Sequence, residues 1–328
     1  MPILLSVYIT TYNRSDMLKK MIDSVLSQTF SDFVLYILDN ASTDNTKYII
    51  KEYNDKRIHY IRHNTNIGGL NNIKFAFKHC KSDYIIVLHD DDIICENLFE
   101  MELKVLENNK DIVAVSSDAY IIDSNDNLIG TYKYSGRDEL LSNVDNYFKR
   151  FIKNGKTLVF PSTMYNNNFL KNNKVYINDF VGPCADVIFH ADIERTGGKL
   201  VNINKELIKY RHHKGQDSVV NSVPMKVKLF SFLSTDEQYS KVFLNMTSEQ
   251  NRIFKNISYN IIQNFVAGNI DYNISVKYIN DIASCLKYKN IDKFFFNSVI
   301  RFLNAFPWLI DKVKSTYRIY KRVCRGDK

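Results

Sequence analysis

Cysteine, proline and glycine are all scarce in this chain of 328 residues, which holds 5, 5 and 11 of them. Cys80, Cys95, Cys184, Cys285 and Cys324 are odd in number, scattered and never paired as C-x-x-C. That argues against a disulfide framework or a cysteine-based zinc site and fits a reducing compartment. So few prolines and glycines leave no room for a long flexible linker. Met1-Pro2-Ile3-Leu4-Leu5-Ser6 runs straight into an apolar stretch without the basic region or cleavage site of a signal peptide. Acids are short only at the end of the chain. From Lys287 onward 11 Lys and Arg face 3 Asp, a surplus equal to the whole net charge of +8. A basic tail on a neutral body points to an anionic surface rather than to a body that binds nucleic acid.

What is present is the composition of an ordinary folded protein, long enough for one large domain and a smaller appended one. Ser6–Thr11, Phe33–Leu38, Ile58–Arg62 and Tyr84–Leu88 read as apolar strands. Helices are expected between them: from Ser15 or Asp16, which would cap it, to about Ser27; from Thr43 or Asp44; and from about Leu70 to Cys80. This alternation predicts a parallel sheet with right-handed crossovers, and ligands at the carboxyl ends of its strands. Three polar clusters fall there, Thr10–Arg14, Asp39–Asp44 and Asp90–Asp92, and should converge. Further on, Ile112–Ser117, Ala119–Ile122, Leu158–Tyr165 and Leu200–Ile203 read as strands and Val187–Arg195 as a helix closed by Gly197-Gly198. From about Val219 the pattern turns helical. The expected division is an α/β domain over 1–218, with halves 1–98 and 99–218, and a helical region over 219–328.

The triplet Asp90-Asp91-Asp92 carries the most chemistry. Adjacent carboxylates at the end of an apolar strand repel one another unless a cation is present, and hard oxygen ligands suit Mg²⁺ or Mn²⁺. Such a metal would bridge a diphosphate and neutralise its charge. The plainer reading is a solvated acidic turn that caps the next helix. Asp39-Asn40-Ala41-Ser42-Thr43-Asp44 offers carboxylates and amides to a nucleobase or ribose, besides ordinary turn and cap chemistry.

Taken together, Ser6-Val7-Tyr8-Ile9-Thr10-Thr11-Tyr12-Asn13-Arg14, Leu38–Asp44, Asn66-Ile67-Gly68-Gly69 and His89-Asp90-Asp91-Asp92 resemble the family 2 glycosyltransferases in order and spacing over the first hundred residues. The resemblance implies an α/β GT-A fold, a Rossmann-like nucleotide-binding mixed sheet flanked by helices, with a mostly helical C-terminal extension. It also implies a nucleotide-diphosphate-sugar donor, a divalent metal and inverting transfer to a glycan acceptor, expected to be lipid-linked, in surface-polysaccharide synthesis. Carried over by position, Thr10 and Tyr12 frame the nucleobase, with Asn13 and Arg14 beside them, and Asp39 contacts base or ribose. Asn66, Gly68 and Asn72 line the nucleotide site. Asp91 matches the metal-binding carboxylate, with Asp92 as its companion. His89 stands where the family often has an acid, so Asp90 takes over a ribose or metal contact.

The resemblance continues through Gly182–Phe189, Gly197-Gly198 and Tyr210–Gly215. Asp186 matches the catalytic base, although Ala185 replaces the acid that usually precedes it; Asp179 and Asp192 are its rivals. One carboxylate must take the proton of the attacking acceptor hydroxyl. His213 matches a histidine near the metal or diphosphate, and Arg211 or Lys214 could pair with the diphosphate.

The run from Phe294-Phe295-Phe296 to Leu309 is broken by Arg301, Asn304 and Pro307, so it is not a spanning helix. Aromatics beside basic residues suit a helix lying in a membrane interface, or else one packed on the protein's own core. The expected location is cytoplasmic, peripheral on the cytoplasmic face of the inner membrane. A sugar nucleotidyltransferase would need a glycine-rich loop after the first strand, and Thr10–Ser15 contains no glycine. A non-catalytic binding scaffold of the same fold is the other alternative, kept open by His89 and Ala185 standing where acids are usual.

Overall fold

A computed structural model describes residues 4–135, 141–178, 180–213, 216, 222–285 and 290–305. Backbone contacts divide the chain into two compact units, Met1–Asp179 with Ala185–Val219, and Phe180–Cys184 with Val220–Lys328. The short segment ahead of Ala185 therefore groups with the second unit, whereas the sequence places it in the first.

The first unit is built on one mixed sheet. Its strands are β1 (Leu5–Thr11), β2 (Phe33–Asp39), β3 (Ile58–Arg62), β4 (Tyr84–His89), β5 (Ile93–Ile94), β6 (Ile112–Ile122), β7 (Leu128–Tyr132), β8 (Leu141–Asn143), β9 (Met164–Asn166) and β10 (Lys199–Arg211). The order is β3-β2-β1-β4-β9-β6-β10-β5, with β7 on β6 and β8 on β10. The four strands β3, β2, β1 and β4 are parallel, in the register Thr11↔Asp39 and Thr10↔His89, so their carboxyl ends lie level. β9 then pairs antiparallel with both β4 and β6, and β10 runs parallel to β6.

Helices α1 (Ser15–Leu26), α2 (Thr46–Lys51), α3 (Gly69–His79), α4 (Leu98–Asn108), α5 (Tyr147–Asn154), α6 (Asn167–Asn172) and α7 (Ala185–Arg195) complete the unit. In α1 the spacing of Leu18, Met21, Ile22 and Val25 puts all four on one buried face. They join Leu5, Val7 and Ile9 of β1 and Phe99, Leu103 and Leu106 of α4 in one core. Residues of β1 with the opposite parity serve the other face, where Tyr8 stacks on Tyr36 at 4.9 Å and Ser6 bonds Ser82 at 2.7 Å.

Several elements differ from the sequence reading. Neither Ser15 nor Asp16 caps α1: the Ser15 N–H donates to Asp44 Oδ2 at 3.0 Å, so the cap comes from the next loop. Asp44 Oδ1 also accepts from the Thr46 N–H at 3.0 Å, which ties the starts of α1 and α2 to one carboxylate. Ile112–Ile122 is one strand rather than two, because Ser116, Ser117 and Asp118 are buried and bonded within the sheet region. The stretch expected as a strand at Leu158–Tyr165 opens instead as a 3-10 turn over Phe160–Ser162. Gly197, at φ +90°, closes α7, and a Cβ on Gly198 would meet Ile193 and Val113 side chains at 2.8 Å.

The second unit is helical: α8 (Ser222–Thr235), α9 (Ser240–Leu244), α10 (Thr247–Ala267), α11 (Tyr272–Cys285) and α12 (Asn290–Ala305). Phe230, Leu233, Phe243, Phe254, Ile257 and Ile261 are buried within it. Along α12, Phe296, Ile300 and Leu303 are buried, while Phe294, Phe295 and Phe302 are exposed. Their positions put the exposed three on one stripe, opposite the buried three. Among the described residues no helix is long and apolar enough to cross a membrane. The basic tail from Phe306 onward lies outside the described residues.

Candidate active site

Three loops leave the level carboxyl ends of β1, β2 and β4, and hydrogen bonds weld them together. The Tyr12 N–H donates to Asp90 Oδ2 at 3.3 Å, and the Asn13 N–H to Ser42 Oγ at 3.0 Å. Asn13, with φ +51°, returns its Oδ1 to the Thr43 N–H at 2.7 Å. Thr10, half-buried, bonds its hydroxyl to the Leu88 carbonyl at 3.4 Å, and the Tyr12 ring stands 44 % exposed at the rim. The convergence expected of the three clusters is thus made by direct bonds.

Asp39 is fully buried. Its Oδ1 accepts from the Ser42 N–H at 2.8 Å, and its Oδ2 accepts from the Tyr60 hydroxyl and faces Arg62 Nε at 3.3 Å. Tyr60 and Arg62 were not singled out in the sequence, although their alternation on β3 and the register Asp39↔Arg62 bring them there. Asn40 bonds Asn66 Oδ1 at 2.8 Å and accepts from the Ile67 N–H at 2.8 Å, while Gly68 takes φ +83° at the mouth of α3. Asn72 turns inward: it donates to the Leu38 carbonyl at 2.9 Å and bonds His63 at 2.9 Å. It secures the loop from behind rather than lining its open side.

The acid triplet is almost wholly buried, with Asp90, Asp91 and Asp92 at 2 %, 5 % and 1 % exposure, so it is not a solvated turn. Arg14 Nη1 bridges Asp90 Oδ1 and Asp91 Oδ2, each at 2.9 Å, and His213 Nε2 meets the same Asp91 oxygen at 2.9 Å. Burial pushes Asp91 up, but His89, Arg14 and His213 outweigh it and hold its carboxyl below the usual range. Burial raises Asp90 to about 6 against the pull of Arg14. Asp92 is driven well above the usual range by burial and by repulsion from Asp91. Its Oδ1 accepts from the Arg211 N–H at 2.8 Å, whereas its Oδ2 is buried with no partner among the described residues.

Ligand atoms of His89, Asp91 and Asp92 lie within 4.8 Å of one another. An orphaned buried carboxylate oxygen beside a second carboxylate and an imidazole is a donor set that a divalent cation fits. His89 thereby joins the residues able to hold a metal; the sequence marked it only as a departure from the family pattern. Arg211 is buried and turned inward, its Nε bonding the Asp91 carbonyl at 2.6 Å and its Nη1 the Asp123 carbonyl at 2.8 Å and the Asp126 carboxylate. It braces the triplet instead of facing a diphosphate.

Asp186 lies in the first turn of α7 and stands apart from this bonded set. It is half-buried, and burial raises it to about 6 against the backbone N–H groups of the helix start. Its charge reaches Tyr147 and Tyr165, and Tyr165 leads through Phe160, with ring centroids 6.2 Å apart, to His89 at 6.1 Å from Phe160. Asp192, its rival, is tied to Arg195 at 3.0 Å. Asp179 and Lys214 lie outside the described residues.

Comparison with known proteins agrees with this architecture. The profile described as glycosyl transferase family 2 matches residues 6–174. An uncharacterized glycosyltransferase of Methanocaldococcus jannaschii is 31 % identical over 74 % of this chain and 82 % of its own. The Escherichia coli UDP-Glc:alpha-D-GlcNAc-diphosphoundecaprenol beta-1,3-glucosyltransferase WfgD is 28 % identical over 39 % of this chain and 50 % of its own. The crystal structure of S. aureus TarS 1-349 in complex with UDP shares the fold, with a TM-score of 0.62 at 17 % identity over 86 % of this chain and 81 % of that one. With the profile spanning the β1, β2 and β4 loops and their buried acids, the chain belongs to glycosyl transferase family 2.

Proposed function

We propose that this glycosyltransferase works by inversion, moving a sugar from a nucleoside-diphosphate donor to a hydroxyl of a lipid-linked glycan in surface-polysaccharide synthesis. The observation that carries this reading is the buried acid triplet at the shared edge of β1, β2 and β4, with one orphaned oxygen and two basic side chains on Asp91. The lipid-linked acceptor is taken from the printed activity of WfgD.

Asp91 and Asp92, with His89 and His213 beside them, would hold Mn²⁺ or Mg²⁺. Such a cation supplies neutralising charge to the departing diphosphate. Tyr12 offers an exposed ring to the nucleobase at the rim. Asp39, engaged by Tyr60 and Arg62, shapes the ribose side through those partners. Asp186 takes the proton from the acceptor hydroxyl as that oxygen bonds to the anomeric carbon. The bond from that carbon to the diphosphate breaks on the opposite face, so configuration inverts.

A panel of nucleoside diphosphates with and without Mn²⁺, read by thermal shift, tests the donor half of the proposal. One nucleotide should stabilise the protein only with metal, and Asp91→Ala should abolish that gain. Metal-independent stabilisation, or none with any nucleotide, would sink it.

A position at the cytoplasmic face of the membrane is supported by the exposed α12 stripe of Phe294, Phe295 and Phe302, next to a basic carboxyl-terminal sequence. Phe294→Ser/Phe302→Ser should lower co-sedimentation with vesicles containing phosphatidylglycerol; equal pelleting of the variant would remove that placement.

A further inference from the structure

Three side chains of α7 fall on one line of that helix. Asp186, His190 and Glu194 are spaced four residues apart, so each stands one turn beyond the last. α5 packs against α7, and Tyr147, its first residue, meets two of the three. Its N–H donates to Glu194 Oε1 at 3.0 Å, and its ring stands edge-on to His190 with centroids 5.4 Å apart. The side chain thus runs from the Glu194 turn to the His190 turn, toward the end of α7 that carries Asp186. After burial itself, Asp186 is the largest charge that the Tyr147 hydroxyl feels.

The ring is held from behind. His190 is wholly buried, and burial pushes it down to about 3, so the imidazole is neutral. Its Nε2 bonds the hydroxyl of Tyr165 on β9 at 2.8 Å. Tyr147 is itself fully buried, and its hydroxyl has no partner among the described residues. A buried donor left unpaired costs free energy until an acceptor reaches it.

Asp186 has the complementary need. Burial raises it to about 6, and the groups that favour its charged form are backbone N–H donors at the helix start. The other titratable groups round this pair are Tyr165 and His190, Glu194 on α7, Glu102 of α4 behind Tyr165, and Tyr132 and Tyr134 beside Tyr147. Arg150, also on α5, turns to Tyr134. A phenol that donates to an ionised carboxylate forms one of the stronger hydrogen bonds available in an interior.

We propose that Tyr147 is a positioning residue for Asp186: its hydroxyl donates to one oxygen of the ionised carboxylate and leaves the other facing the acceptor hydroxyl. The Tyr165–His190 pair keeps the phenol ring in register with that task. The inference rests on the reading of Asp186 as the base, which it deepens by naming the group that holds the carboxylate. Donation to the charged form favours that form, so loss of the hydroxyl should raise the pH at which Asp186 ionises.

The test needs no substrate. The full chain is labelled with carboxyl-¹³C aspartate and titrated by NMR, the Asp186 resonance being the one lost in Asp186→Asn. Tyr147→Phe keeps the ring and should move the Asp186 midpoint upward by at least about half a pH unit, with an unchanged melting temperature at pH 5. An unmoved or lowered midpoint overturns the proposal. If Tyr147→Phe does not fold, Tyr165→Phe, which frees the imidazole behind the ring, decides by the same criterion. Full transfer by Asp186→Asn would remove the base reading alone, and the Tyr147–Asp186 bond would stand or fall on the titration.

Discussion

Arg14 Nη1 stands 2.9 Å from Asp91 Oδ2, and the same nitrogen reaches Asp90 Oδ1 at 2.9 Å. A cation of the chain itself thus occupies the mouth of the carboxylate pair, where a divalent ion would compete with it. Arg14→Met should destabilise the metal-free protein by about 1–3 kcal/mol, because two buried carboxylates lose a charged donor. Manganese should restore the difference, and calorimetry should find it bound at least as tightly as in wild type. Weaker metal binding by the variant would make Arg14 a support for the ion rather than its competitor.

Asp186→Asn should leave nucleotide and metal binding intact and cost about 10²–10⁴-fold in transfer. With burial raising Asp186 to about 6, the proposed base is protonated at lower pH. The pH profile of wild-type transfer should accordingly climb through about 6 to a plateau. A flat profile across that range would move the proton acceptor elsewhere.

Asp39→Ala would strand the Ser42 N–H and the Tyr60 hydroxyl and leave Arg62 without its carboxylate. A loss of about 2–4 kcal/mol is expected from urea unfolding. Tyr60→Phe, which removes one bond, should cost about 1 kcal/mol. If Asp39→Ala kept full stability while abolishing nucleotide binding, its role would be recognition alone.

The first half of the chain was largely legible in the sequence because its strands are mostly apolar runs and its candidate site residues sit where those runs end. Thr10–Arg14, Asp39–Asp44 and Asp90–Asp92 needed only the rule that parallel strands end level. What stayed hidden depended on partners far away in the chain. Asp44 caps α1 across a loop, and Asn72 and Arg211 face inward because of carbonyls that no local pattern announces. Tyr60 and Arg62 look like ordinary strand residues until register places them on Asp39. A polar residue in the interior, Asp118, broke the apolar signal of β6 into two pieces.

Glu102 is fully buried in α4, and neither carboxylate oxygen has a partner among the described residues. Burial pushes its pKa well above the usual 4.5, so the folded state holds the proton to higher pH than the unfolded chain. Its stabilising share is complete below the unfolded value and is lost as pH climbs through the folded one. Relative to Glu102→Gln, wild type should therefore become progressively less stable between pH 5 and pH 9 in urea titrations. A difference independent of pH would mean that Glu102 is already charged or bonded.

Arg211 is joined through its backbone to Asp92 and through its side chain to the Asp91 carbonyl, across some 120 positions of chain. The amino-terminal strands cannot finish their acid cluster alone; the last strand of the sheet must arrive first. During synthesis the nascent chain would carry an uncompensated Asp92 until β10 has left the ribosome and docked beside β6. A fragment that stops near the end of α6 should accordingly be a poor folder, however much of the nucleotide-contacting sequence it contains.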